Sequence, residues 1–116
     1  MITLPVYLVI DTSASLAGDI DRINQGLVDL FDSLLREPLV ADKVRIALIQ
    51  FSSEAGEVIP LSDVNVIDTI PTLQASGATN YGSAFSLVRQ LIVRDVAELR
   101  AADVRVLRPQ IGRAHV

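Results

Sequence analysis

Short, densely apolar runs alternate along the chain with longer stretches in which apolar residues recur at helical spacing. Val6 to Ile10 is an unbroken run of β-formers, the pattern of a strand buried on both faces. It closes on Asp11-Thr12-Ser13-Ala14-Ser15, a polar turn. Ile20, Ile23, Leu27, Leu30, Phe31 and Leu34 then predict a helix that Pro38 stops, with Glu37 before it pushed out of the helical region. Val44 to Phe51 predicts a second strand and Gly56 to Leu61 a third, and the short Ser52–Ala55 link makes them a hairpin. Past a polar connection marked by Pro71, Ser76-Gly77-Ala78-Thr79-Asn80 is a second turn cluster. Phe85, Val88, Leu91, Ile92, Val96 and Leu99 predict a second helix, and Val104, Val106 and Leu107 a strand before Pro109.

The order β-α-β-β-α-β with apolar central strands predicts an α/β fold: a Rossmann-like open, mostly parallel sheet flanked by helices. In such sheets ligands bind beyond the carboxyl ends of the strands, in loops leading to helices. Both polar turns lie just before a helix. Leu4 to Ile10 has the apolar character of a signal-peptide core, but no basic segment precedes it and Asp11 cuts it short, so it reads as a strand. No apolar stretch approaches the ~20 residues that span a bilayer. The expected location is the cytoplasm.

A length of 116 residues suits one small domain. Half the residues are hydrophobic, which excludes a disordered chain, while aromatics are only 4%, so the core must be aliphatic. The net charge of −4 and the absence of a basic run disfavour a nucleic-acid partner. There is no Cys, and the one His is His115, which removes disulfides, Cys/His zinc sites, Cys nucleophiles and triads built on an interior histidine. The remaining chemistry must run on oxygen ligands.

Asp11-x-Ser13-x-Ser15 is an oxygen-ligand motif placed directly after a hydrophobic strand. Alternate residues of an extended turn can aim three oxygens at one point, and Thr79 on the second turn can add a fourth. Such a set suits a hard cation, Mg²⁺ or Mn²⁺, at octahedral geometry. The plainer reading is that Asp and Ser are turn formers and helix caps, and that Thr79 or Asn80 caps the second helix. Asp19 and Asp21 belong to the first turn of helix one, where acids favour the dipole. Asp63 and Asp68 read as solvated loop charges, Tyr81 and Phe85 as packing residues, and Arg89, Arg94 and Arg100 as a solvated helix face.

Enzyme signatures are missing. There is no Gly-x-x-x-x-Gly-Lys loop for phosphates and no Gly-x-Gly-x-x-Gly after the first strand. Phosphatases that use an aspartyl nucleophile carry a second acid two positions on, where this chain has Ser13. A serine nucleophile would lack a base. The expected role is not catalytic, and no small-molecule substrate is identified.

Leu-Val-Ile-Asp-Thr-Ser-Ala-Ser followed by a helix, with Ser-Gly-Ala-Thr-Asn later, resembles the von Willebrand factor type A (VWA) domain. In that family the Asp-x-Ser-x-Ser motif, a Thr from a second loop and an Asp from a third build a metal-ion-dependent adhesion site. The resemblance implies that Ser13 and Ser15 bind the metal directly, Thr79 directly in one state, and Asp11 mostly through water. It also implies a protein partner whose Asp or Glu carboxylate completes the metal shell, with no nucleic acid and no membrane involved. Within the family the chain is most similar to small bacterial VWA proteins associated with tellurite resistance. The shared elements are the opening Leu-Pro-Val-Tyr-Leu-Val-Ile-Asp-Thr-Ser, Val44–Phe51, Pro60-Leu61, Ser76–Thr79 and Arg108-Pro109. That points to a tellurite or stress-response role acting through protein complexes. The alternatives are a VWA subunit of a magnesium-chelatase-like ATPase machine, and a metal-dependent phosphotransfer or hydrolase domain using Asp11.

This chain departs from the family pattern in two ways. Ala14 and Leu16 stand where the family usually has Gly and Met. After Arg108-Pro109 the family continues into a hydrophobic strand ending in Asp-Gly, which holds the third acid, whereas this chain reads Gln-Ile-Gly-Arg-Ala-His-Val. The codons ATC-GGA-AGA-GCA-CAC-GTC, a common sequencing-library adapter, translate to Ile-Gly-Arg-Ala-His-Val. The expectation is therefore a partial VWA domain over residues 1–109, truncated after its fourth strand. Residues 110–116 would be a non-native tail from adapter read-through, with metal bound in the full-length parent and His115 without functional weight.

Overall fold

The computed structural model of the chain describes residues 2–113. Its sheet contains β1 (Ile2–Asp11), β2 (Val44–Phe51), β3 (Ala55–Asp63), β4 (Arg105–Val106) and β5 (Gln110–Arg113). The helices are α1 (Ile20–Leu35), a single turn α2 (Pro38–Ala41) and α3 (Tyr81–Ala101). β2 lies parallel to β1 from Leu4↔Val44 to Asp11↔Phe51. The other side of β1 is shared by β4, at Ile2 and Thr3, and β5, at Val6 to Val9, both parallel. β3 returns antiparallel on the outer edge of β2. The expected α/β architecture with a mostly parallel sheet is the one found.

The two-residue period of a strand divides β1 and β2 between two cores. On one face Ile10, Ile46 and Leu48 pack with Ile23, Leu27 and Phe31 of α1. On the other, Tyr7, Val9, Ala47, Ile49 and Phe51 pack with Ala84, Val88 and Leu91 of α3. Burial of both faces is why these strands read as unbroken apolar runs. Prolines sit where a missing N–H does least harm. Pro5 lies between the β4 pairing, which ends at Thr3↔Val106, and the β5 pairing, which begins at Val6↔Gln110. Pro60 of the edge strand β3 lies at the register break between Ile46↔Ser62 and Leu48↔Ile59.

Several elements differ from the sequence reading. β1 begins at Ile2 rather than Val6, β4 has only two residues, and Pro38 both ends one helix and opens another turn. Glu37 is displaced from helical geometry as expected, at φ −113° and ψ 85°. Leu30 and Phe85, assigned to buried helix faces by their spacing, are 38% and 61% exposed because the sheet covers a narrower stripe of each helix. The segment after Pro109, given no element by the sequence, forms β5. Ala114, His115 and Val116 lie outside the described residues. No helix among the described residues is long and apolar enough to cross a membrane.

Candidate functional site

β1 and β2 end side by side, and the chain leaves β1 at Asp11 into a tight polar turn. The Asp11 carboxylate closes it, its Oδ1 accepting from Ser13 N at 2.8 Å. A 3₁₀ turn over Ala14–Leu16 follows and leads to α1. This geometry folds Ser13 and Ser15 onto one side, with Oγ atoms 3.1 Å apart. Ser13 is buried, Asp11 half-buried and Ser15 exposed, so the cluster opens to solvent from a fixed base.

The second loop docks on the first through the main chain. Ala14 N donates to Gly77 O at 2.9 Å, and Ser76 N donates to Thr12 O at 2.8 Å. The β2–β3 hairpin holds it from the other side, with Asn80 N donating to Ser52 O at 2.8 Å and Ala78 N to Ser53 Oγ at 3.0 Å. Gly77 has φ +76°, and a Cβ there would stand 2.8 Å from Ser53 Oγ, so the position is glycine on both counts. The structure thus brings the Asp11–Ser15 and Ser76–Thr79 loops together at the carboxyl end of the sheet.

The cap reading of Thr79 and Asn80 is resolved in favour of Asn80. Asn80 is the N-cap of α3, its side chain accepting from Ser83 N at 3.1 Å. Thr79 precedes the cap and is exposed. Asp19 holds the N-cap position of α1 and Asp21 its first turn, as expected of acids there. Asp63 is more than a solvated charge: its carboxylate accepts from Asn65 N at 2.9 Å and opens a 3₁₀ turn.

Sequence reasoning missed two residues that position these loops. Asn24 of α1 grips the main chain of Leu73, its Nδ2 donating to Leu73 O at 2.9 Å and its Oδ1 accepting from Leu73 N at 2.8 Å. The helix that follows the first loop therefore holds the segment that leads into the second. Asp95 of α3 is buried and accepts from Tyr7 Oη at 2.9 Å and from Arg94 Nε at 3.0 Å. Arg94 also reaches Glu57 of β3 at 2.9 Å, so this residue of the solvated face is engaged in an ion-pair network as well. The hydrogen bonds it donates to Asp95 and then Glu57 favour its charged form further. Burial, followed by the Asp95 hydrogen bond, pushes the Tyr7 phenol well above its ordinary range. Tyr81 does pack, its ring 5.3 Å from that of Phe51.

Among the described residues no three His, Cys, Asp or Glu side chains gather at one point. The donor set at the loops is hydroxyl-rich with a single carboxylate, a combination that could hold a hard cation without neutralising it.

Residues 6–107 match the family profile described as von Willebrand factor type A domain. Among solved structures, that of an uncharacterized membrane-spanning protein from Vibrio fischeri is similar, with a TM-score of 0.59 and 19% sequence identity over 78% of this chain and 50% of that one. The present chain spans half the length of that structure, and likeness at this identity shows the fold alone. No curated protein matches the chain.

Proposed function

Because the chain belongs to the von Willebrand factor type A domain family, a family of protein-interaction and adhesion-type domains, we propose that it is a metal-ion-dependent protein-binding module and not an enzyme. Asp11, Ser13, Ser15 and Thr79 would hold Mg²⁺ or Mn²⁺. When bound, the ion would supply a positive charge with a position open to a carboxylate oxygen.

The observation that carries the reading is the 3.1 Å separation of Ser13 Oγ and Ser15 Oγ. Adjacent ligands of an octahedral ion with bonds of about 2.0–2.1 Å stand roughly 2.9 Å apart, so the two hydroxyls already have the right spacing. They are uncharged, and Asp11 brings one negative charge. A divalent cation would keep a net positive charge, and the chain's own residues would orient it toward an Asp or Glu side chain of a partner protein. With the capping of α3 assigned to Asn80, the Thr79 hydroxyl takes no part in that helix end.

A bacterial tellurite- or stress-response role in the cytoplasm, acting through protein complexes, is part of the same proposal. It is supported by the family resemblance of the strand and loop sequences named above. Titration of the chain with Mn²⁺ by calorimetry tests the metal reading. Saturable binding that Ser13→Ala and Ser15→Ala each abolish is the expected result. No binding by the unaltered chain, or equal binding by both variants, would overturn it. Ser15 is exposed, so its replacement should leave the fold intact.

A further inference from the structure

Beside the two loops, on the α1 side of the sheet, runs a polar groove. One part, about 230 Å³, lies between the β2–β3 hairpin and the second loop, with Thr12, Glu54, Gln50 and Gln74 in its wall. A second part, about 340 Å³, continues past Gln50, Gln74 and Ser76 to Thr72. Thr12 stands between Asp11 and Ser13, and Ser76 is tied to it through the main chain, so the groove begins at the wall of the candidate metal site. The carboxamides of Gln50, half-buried, and Gln74, exposed, have no hydrogen-bond partner among the described residues.

We propose that this groove seats the main chain of the partner segment that presents the carboxylate, an extended peptide gripped by Gln50 and Gln74. The inference rests on the protein-binding reading above and adds where the partner's backbone lies and which residues read it. A carboxamide offers a donor and an acceptor side by side, the complement of the N–H and C=O that one residue of an extended chain turns to the same side. The molecule already uses that complement once: Asn24 binds the N–H and C=O of Leu73 in this way, and Leu73 borders the groove. Gln50 and Gln74 repeat the same chemistry toward the open side. An apolar ligand would leave both carboxamides unpaired, which disfavours it. Glu54 at the rim disfavours a second acid in the peptide and favours an uncharged or basic neighbour to the carboxylate.

The test uses the full chain and an array of peptides, each carrying one Asp, probed in Mg²⁺ and again in EDTA. The peptides bound best should weaken roughly three- to tenfold with Gln50→Ala and with Gln74→Ala, while Mn²⁺ binding by both variants stays unchanged. Unaltered peptide binding by both variants overturns the groove, and so does failure of the parent chain to bind any peptide. If Ser13→Ala or EDTA abolishes binding while the Gln variants bind fully, the metal-dependent reading stands and the groove falls. If the Gln variants weaken binding that EDTA leaves intact, the groove stands and the metal dependence falls.

Discussion

Asn24 ties the helix that follows the first loop to the segment that leads into the second. Its two hydrogen bonds to Leu73 are partly buried, and removing them strands an N–H and a C=O of the main chain. Asn24→Ala should cost about 1–3 kcal/mol, and the Leu73 amide should lose hydrogen-exchange protection ahead of the rest of the sheet. Gly77→Ala attacks the same loop from its other end. A side chain at φ +76° and 2.8 Å from Ser53 Oγ should lower stability by about 1–2 kcal/mol, read as a drop in the urea midpoint. The Asp11–Ser15 motif could be read in the sequence because its pattern is local. Asn24 could not, because a polar residue on an amphipathic helix looks solvent-facing and its partner lies 49 positions on.

At the scale of elements, α3 is fastened to the sheet by a polar lock inside an apolar seam. Ala84, Val88, Leu91 and Leu99 form the buried stripe of α3, and Asp95 occupies the remaining place on it. That periodicity was a signal for Asp95, as was a tyrosine hydroxyl at position 7 in an otherwise aliphatic strand, since a buried phenol needs a partner. Asp95→Ala leaves the Tyr7 hydroxyl without its acceptor and should cost about 2 kcal/mol, measurable by denaturant unfolding. The exposed end of the network, Arg94 to Glu57, should contribute less than about 1 kcal/mol, since Arg94 is half in water. The lock also sets a pH dependence. Because the Tyr7 pKa is raised on folding, its share of stability is complete below the ordinary phenol pKa of about 10. Above that value the unfolded chain's phenol ionises while the native one stays neutral, and this share declines as pH climbs toward the native pKa. Unfolding midpoints at about pH 8 and about pH 11 should therefore converge in Tyr7→Phe relative to the parent chain.

For the molecule as a whole, the lane beside β1 departs from the pattern of the central strands. The strands at the centre follow one rule: a parallel strand covered on both faces is a continuous apolar run, as in Val6–Ile10 and Val44–Phe51. β5 occupies the lane from Val6↔Gln110 to Val9↔Arg113 but reads Gln-Ile-Gly-Arg, with a glycine that weakens any strand interior. Its flank is thinly covered, with Phe85 and Ile111 61% and 54% exposed around a cavity of about 210 Å³ that also touches Val9 and Val88. The order of elements along the chain and the mostly parallel α/β class were legible from the apolar runs, but this lane was not, because residues 110–113 carry no strand pattern. We propose, on the family pattern alone, that the genomic locus past the Pro109 codon reads as a hydrophobic run ending in Asp-Gly, beginning where β5 now begins. Such a strand would carry its acid past the point opposite Val9, toward the end of β1 where Asp11 and Ser13 lie. Genomic DNA that encodes Gln110–Val116 would instead make the tail native. It would deny the metal site its third acid, and the metal-dependent reading would then be withdrawn for this chain.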